Sequence, residues 1–137
     1  MKIAVIFFSG NNRERLLNLS RALARGVESQ GHQVDIVDGN HDINTKLTIY
    51  RYIAVGTEQI STLGGKIPQQ VSQFLNSSGM VSGKRCFAFV PKNLFGAGKA
   101  LSRLMKGMEK EGMYLKNSAV FTSPQEAEEV GKRLHIS

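Results

Sequence analysis

The sequence has one cysteine, three histidines, three prolines and no tryptophan, and it is short of acid: eleven Asp and Glu stand against eighteen Lys and Arg, a formal charge of +7. A lone Cys86 excludes an intrachain disulfide and any cysteine-built structural metal site, and it fits a reducing compartment. His32, His41 and His135 share no metal-ligand spacing, so surface or turn roles are expected for them and no metal site is assigned. Long apolar runs are also missing. The one near the start, Ile3 to Phe8, gives way to Ser9 and a polar helix start, too short for a membrane span or a secretory core, and the expected location is cytoplasmic. No composition shift, repeat or low-complexity tract divides the 137 residues, so a single domain over 1–137 is expected.

The positive charge is uneven. Between residues 84 and 116 only Glu109 and Glu111 oppose the lysines and arginines, whereas residues 28–58 carry Glu28, Asp35, Asp38, Asp42 and Glu58 against Lys46 and Arg51. Most of these residues fall at polar positions of helices, where they keep a protein soluble; a positive side also favours an anionic ligand or an acidic protein. Nothing points to nucleic acid, because no reading module and no interleaving of aromatic with basic residues accompanies the charge.

What is present is a regular alternation. "KIAVIFF" (2–8) is β-branched and aromatic without polar interruption, the pattern of a strand covered on both faces. Leu16, Leu19, Leu23 and Val27 then recur at helical spacing over 12–30, and Gly31 suits the helix end. "HQVDIVD" (32–38) reads as a second strand, followed by a weak segment with one short helical turn expected over 44–49. "YIAVG" (52–56) is a third strand, and Ile67, Val71, Phe74 and Leu75 mark a helix with Pro68 in its first turn. "RCFAFV" (85–90) is a fourth strand, Leu101, Leu104, Met105 and Met108 mark a helix that stops at Gly112, and "NSAVFT" (117–122) is a fifth strand. In the last helix Ser123 is the cap, Pro124 the first residue and Glu126 the third. This order predicts an α/β fold, a parallel sheet with helices on both faces.

Ligands of such sheets lie beyond the carboxyl ends of the strands. Three glycine-containing loops can wall that crevice, at 9–13, 57–66 and 91–98. The first, inside "FFSGNNRERLL" (7–17), opens a helix whose first amides lack intrahelical partners and favour an anion. Ser9, Asn11 and Asn12 add polar side chains, and Arg13 or Arg15 can add charge; the competing reading is that Asn11 or Asn12 caps the helix and water satisfies the rest. Neither GxxxxGK[ST] nor GxGxxG is present, since the glycine after Gly10 is Gly26, well inside the helix. A phosphoryl-accepting receiver would need an acidic pair where Ser9, Gly10, Asn11 and Asn12 stand. Cys86 lies inside a strand without a CxxxxxR loop, which makes it a small buried hydrophobe rather than a nucleophile.

With these elements in place the chain resembles the flavodoxin-like family over nearly its whole length. The family holds the phosphate of flavin mononucleotide (FMN) in a Thr/Ser-x-Thr-Gly-x-Thr loop after the first strand. In "FSGNN", Ser9 matches the hydroxyl residue before the glycine, Gly10 the glycine, Asn11 the variable residue and Asn12 the last Thr, with Phe7 at the first hydroxyl position. "YIAVGTEQISTLGGKIPQQVSQFL" (52–75) is similar to the third strand, ligand loop and Pro-led helix, although 57–66 lacks the aromatic that often meets the flavin ring. "GKRCFAFVPKNLFGAGKALSRLMKGMEKEG" (83–112) is similar to the fourth unit, with Phe95 either a ring contact or a plug folded back over the sheet edge.

The resemblance implies a three-layer α-β-α sandwich with a five-stranded parallel sheet in the order 2-1-3-4-5. It implies FMN as cofactor and an electron-transfer flavoprotein rather than an enzyme with its own substrate, so no catalytic residue is assigned. The implied cofactor-binding residues are Ser9, Gly10, Asn11, Asn12 and Arg13 around the phosphate, with Thr57, Glu58 and Gln59 in a 57–63 segment and Lys92, Asn93, Phe95 and Gly96 around the ring. The family's electron shuttles are acidic and dock on basic proteins; this basic chain implies an acidic redox-partner protein and no membrane. The alternative is a flavodoxin-like binding or regulatory module without bound flavin, suggested by the reduced hydroxyl pattern, the missing aromatic and the basic face.

Overall fold

The computed structural model describes residues 1–61 and 64–136. Its elements run β1 (Lys2–Phe8), α1 (Arg13–Glu28), β2 (Gln33–Asp38), β3 (Tyr52–Thr57), α2 (Gln70–Ser77), β4 (Arg85–Pro91), α3 (Ala97–Lys110), β5 (Tyr114–Phe121) and α4 (Pro124–Arg133). The strands form one five-stranded sheet in the order β2-β1-β3-β4-β5, every neighbouring pair parallel. This is the flavodoxin-like order.

Alternation along the central strands sorts their side chains into two cores. Ile3, Val5 and Phe7 of β1 join Ala54, Phe87, Phe89 and Phe121 under α1 and α4. Ala4, Ile6 and Phe8 join Ile53, Val55, Cys86 and Ala88 under α2 and α3. Both faces are therefore dry, which explains why β1 and β4 carry continuous apolar runs where a half-exposed strand would alternate. The first core closes with an aromatic trio, Phe89 lying 6.2 Å from Phe87 and 5.5 Å from Phe121 between ring centres. Helices α1 and α4 meet backbone to backbone: Gly26 lies against the Glu128 carbonyl and Gly131 against that of Leu23, too close for any side chain at either glycine.

Three segments differ from the sequence expectation. Helix α2 begins at Gln70 with Gln69 as its cap residue, so Pro68 lies ahead of the helix and not in its first turn. No helix forms over 44–49; the connection from β2 to β3 is a series of turns, pinned where the Leu47 amide donates to the Ser78 carbonyl at 2.8 Å and where Leu47 and Tyr50 enter the second core. Asp42, Asn44 and Thr45 prefer turns over helix, and two inward anchors substitute for an amphipathic stripe. Strand β5 begins at Tyr114, three residues ahead of the expected Asn117, with a register irregularity opposite Cys86 and Phe87 that leaves Lys116 out of the pairing. As an edge strand with exposed Lys116, Asn117 and Ser118 it shows neither alternation nor an apolar run.

Candidate functional site

In register, Phe8 of β1 pairs with Thr57 of β3, so the loops at Ser9 and Glu58 leave the sheet side by side, held by the Glu58 amide donating to the Phe8 carbonyl at 3.1 Å. Chain order reverses here, β2 lying on one side of β1 and β3 on the other. Above this point opens a cleft of ≈ 540 Å³, walled by Asn11, Asn12 and Arg15 from the first loop and helix start, by residues 58–61 from the second loop, and by Pro91, Asn93, Leu94 and Phe95 from the third. Its size is that of a small-molecule site.

Two amides of the loop ahead of α1 already hold an anion, and it belongs to the chain. Glu58 Oε2 accepts from the Gly10 amide at 2.6 Å and from the Asn12 amide at 3.1 Å. A Cβ at position 10 would lie 2.9 Å from this same oxygen, so glycine lets the backbone close on the carboxylate. Glu58 is only 6% exposed, and its Oε1 faces no hydrogen-bond partner among the described residues.

The neighbouring polar groups are committed as well. The Asn12 side chain caps α1, its Oδ1 accepting from the Arg15 amide at 3.2 Å. The Ser9 amide donates to Asn40 Oδ1 at 2.9 Å. Arg13 turns away from the cleft to meet Asp38 Oδ2 at 3.1 Å, with its guanidinium 5.5 Å from the centre of the Phe7 ring. Burial alone would raise the Asp38 pKa, but hydrogen bonds from His41, the Asn40 amide and Arg13 outweigh it and hold the carboxyl below its usual range. Arg15 reaches across to donate to the Lys92 carbonyl, joining the first loop to the third.

Gln59 forms the other strut. Its Nε2 donates to the carbonyls of Ser61 at 2.6 Å and Phe95 at 2.8 Å, which uses both amide protons and fixes the side-chain orientation. Gln59 Oε1 is then left buried with no partner among the described residues. Beyond these struts the walls are apolar and open: Ile60 is 48% exposed, Leu94 89% and Phe95 57%. Phe95 thus stands at the cleft wall and does not fold back over the sheet edge.

Among the residues expected to bind a cofactor, Asn11, Asn12, Glu58, Gln59, Asn93 and Phe95 line the cleft together. Gly10 contributes its amide to Glu58, and Lys92 its carbonyl to Arg15. Thr57 is fully buried and outside the cleft lining, its one hydroxyl proton shared between the carbonyls of Glu58 at 3.0 Å and Phe8 at 3.3 Å. Gly96 takes φ 85° as the residue before α3, while the Ser9 backbone amide and the Arg13 guanidinium bond outward as described. Of the 57–63 segment expected to enclose a ring, Thr62 and Leu63 lie outside the described residues. Pro91, the last residue of β4, joins the wall without a motif to mark it.

No family model and no curated protein matches the chain. Solved structures do match in fold. A flavodoxin from the domain Archaea superposes with a TM-score of 0.75 at 20% identity, covering 97% of this chain and 95% of its own. Flavodoxin 1 from Bacillus cereus gives 0.73 at 16% identity, covering 97% and 93%. A short-chain flavodoxin associated with a non-canonical PDU bacterial microcompartment gives 0.72 at 10% identity, covering 97% and 95%.

Proposed function

We propose that this chain, flavodoxin-like in fold, binds a flavin in the cleft over β1, β3 and β4 and works in electron transfer. The observation that carries the reading is the cleft of ≈ 540 Å³ at the point where strand order reverses, with open apolar walls at Ile60, Leu94 and Phe95. A flat ring entering there would bury its faces against those side chains, with Asn93 beside it in the wall. The bound ring supplies the redox chemistry, and the chain supplies position and electrostatics.

FMN is the form that the resemblance implies, and its two ends meet the site differently. The walls suit the ring. The phosphate does not fit the loop as it stands, because the Gly10 and Asn12 amides already serve Glu58 and Arg13 serves Asp38. Exposed Lys66, Lys92 and Lys99 on or beside the second and third loops support an acidic redox-partner protein, whose docking would weaken as salt screens the attraction.

A second reading, a binding module that carries no flavin, is favoured by that same internal carboxylate. Fluorescence titration of the purified protein with riboflavin and with FMN separates the two. Saturable quenching by at least one of them supports the flavin reading. No quenching by either up to ~100 μM overturns it and leaves the module.

A further inference from the structure

We propose that Glu58 stands in for the ligand's phosphate, so that the cleft selects a flat heterocycle bearing N–H and O–H donors and no phosphate. This rests on the flavin reading and specifies which flavin the site takes.

The first ground is occupancy. An anion in the loop ahead of α1 would meet the Gly10 and Asn12 amides, and both donate to Glu58 Oε2, at 2.6 and 3.1 Å. For a phosphate to enter, it must break two hydrogen bonds to a charged acceptor and move a carboxylate that is 6% exposed. The second ground is charge. Arg13 is paired with Asp38 and turned out of the cleft, while Glu58 adds a negative charge where the phosphate would lie; Arg15 stays at the cleft wall as a cation, bonded to the Lys92 carbonyl of the third loop.

The third ground points to what the ligand must carry. Glu58 Oε1 and Gln59 Oε1 are acceptors without partners among the described residues, on two neighbouring side chains of the cleft lining; both oxygens are closed to solvent, so a ligand's donors reach them only as those side chains shift on binding. The Gln59 amide cannot be turned to relieve its own oxygen, because both of its protons are spent on the Ser61 and Phe95 carbonyls. Unmet buried acceptors are costly, and a ligand that brings donors removes that cost. Ribityl hydroxyls and a ring N–H are donors; the oxygens of a phosphate dianion only accept.

The test compares riboflavin with FMN on wild type, Glu58→Ala and Glu58→Gln, with urea melts confirming that each variant is folded. The wild type is expected to bind riboflavin at least about tenfold more tightly than FMN, and Glu58→Ala to reverse the order by freeing the two amides for phosphate. Glu58→Gln keeps an acceptor on those amides but removes the charge. Should the alanine variant not fold, a shift of the affinity ratio towards FMN in Glu58→Gln supports the inference, and an unchanged ratio overturns it. If the wild type prefers FMN and neither variant strengthens its binding, Glu58 is no phosphate surrogate and the inference is overturned while the flavin reading stands. If no form of the protein binds either compound, the flavin reading itself fails and the inference with it.

Discussion

Replacing Gly26 by alanine should destabilise the protein, although the same change in an open helix would stabilise it. Alanine gains about 1 kcal/mol over glycine from helix propensity. At Gly26, however, the new methyl would fall on the Glu128 carbonyl and lie 2.8 Å from the Lys132 amide nitrogen and 2.9 Å from the Gly131 Cα, all of them backbone atoms with no flexible end to yield. Ordinary contacts need about 3.5 Å or more, so α1 and α4 must separate by about 1 Å. Overpacking of this kind costs up to about 3 kcal/mol, which leaves a net loss of about 2 kcal/mol. Gly107 of α3 is the control: a Cβ there meets nothing within 4 Å, and Gly107→Ala should gain about 0.5–1 kcal/mol. Urea denaturation reads both. With m of about 2 kcal/mol/M the midpoint should fall by about 1 M for Gly26→Ala and rise by about 0.3–0.5 M for Gly107→Ala, with m unchanged. A Gly26→Ala midpoint at or above wild type would refute the close packing of α1 on α4.

Two further outcomes follow from titratable groups. Because the folded state holds the Asp38 pKa below its ordinary 3.8, its contribution is fully present above that value and is lost as pH falls below it; Asp38→Asn should flatten the loss of urea stability below pH 3.8, and a loss equal to wild type would contradict the Arg13 and His41 contacts. The Cys86 thiol is pushed up to about 12 by burial and by the charge of Glu109, so a thiol reagent at mildly alkaline pH should label it only when urea is added; rapid labelling of the native protein would contradict its place inside β4.

Much of the fold was legible because single elements satisfied several rules together. β1 shows an unbroken apolar run because both of its faces are buried, and α4 shows its start because Ser123 accepts from the Glu126 amide, with Pro124 behind it. The 39–51 connection was less legible, since Leu47 and Tyr50 are held by contacts with residues far along the chain and not by local periodicity. The early start of β5 was hidden for a related reason: an edge strand with an unpaired Lys116 has no period to read. At the site, the glycine, the asparagine cap and the loop positions were visible in the sequence. The carboxylate seated on them was not, because Glu58 lies 48 positions from Gly10 and nothing in a loop glutamate announces the amides it will find. Only the pairing of β1 with β3 brings the two together.

The central claim is that the Gly10 and Asn12 amides are held by Glu58 and are closed to an outside anion. It is tested most directly by following those two amide resonances in a two-dimensional nitrogen-15 spectrum while inorganic phosphate is added. Phosphate should leave both unmoved in the wild type and shift both, saturably, in Glu58→Ala. Saturable shifts of both amides in the wild type would contradict the account.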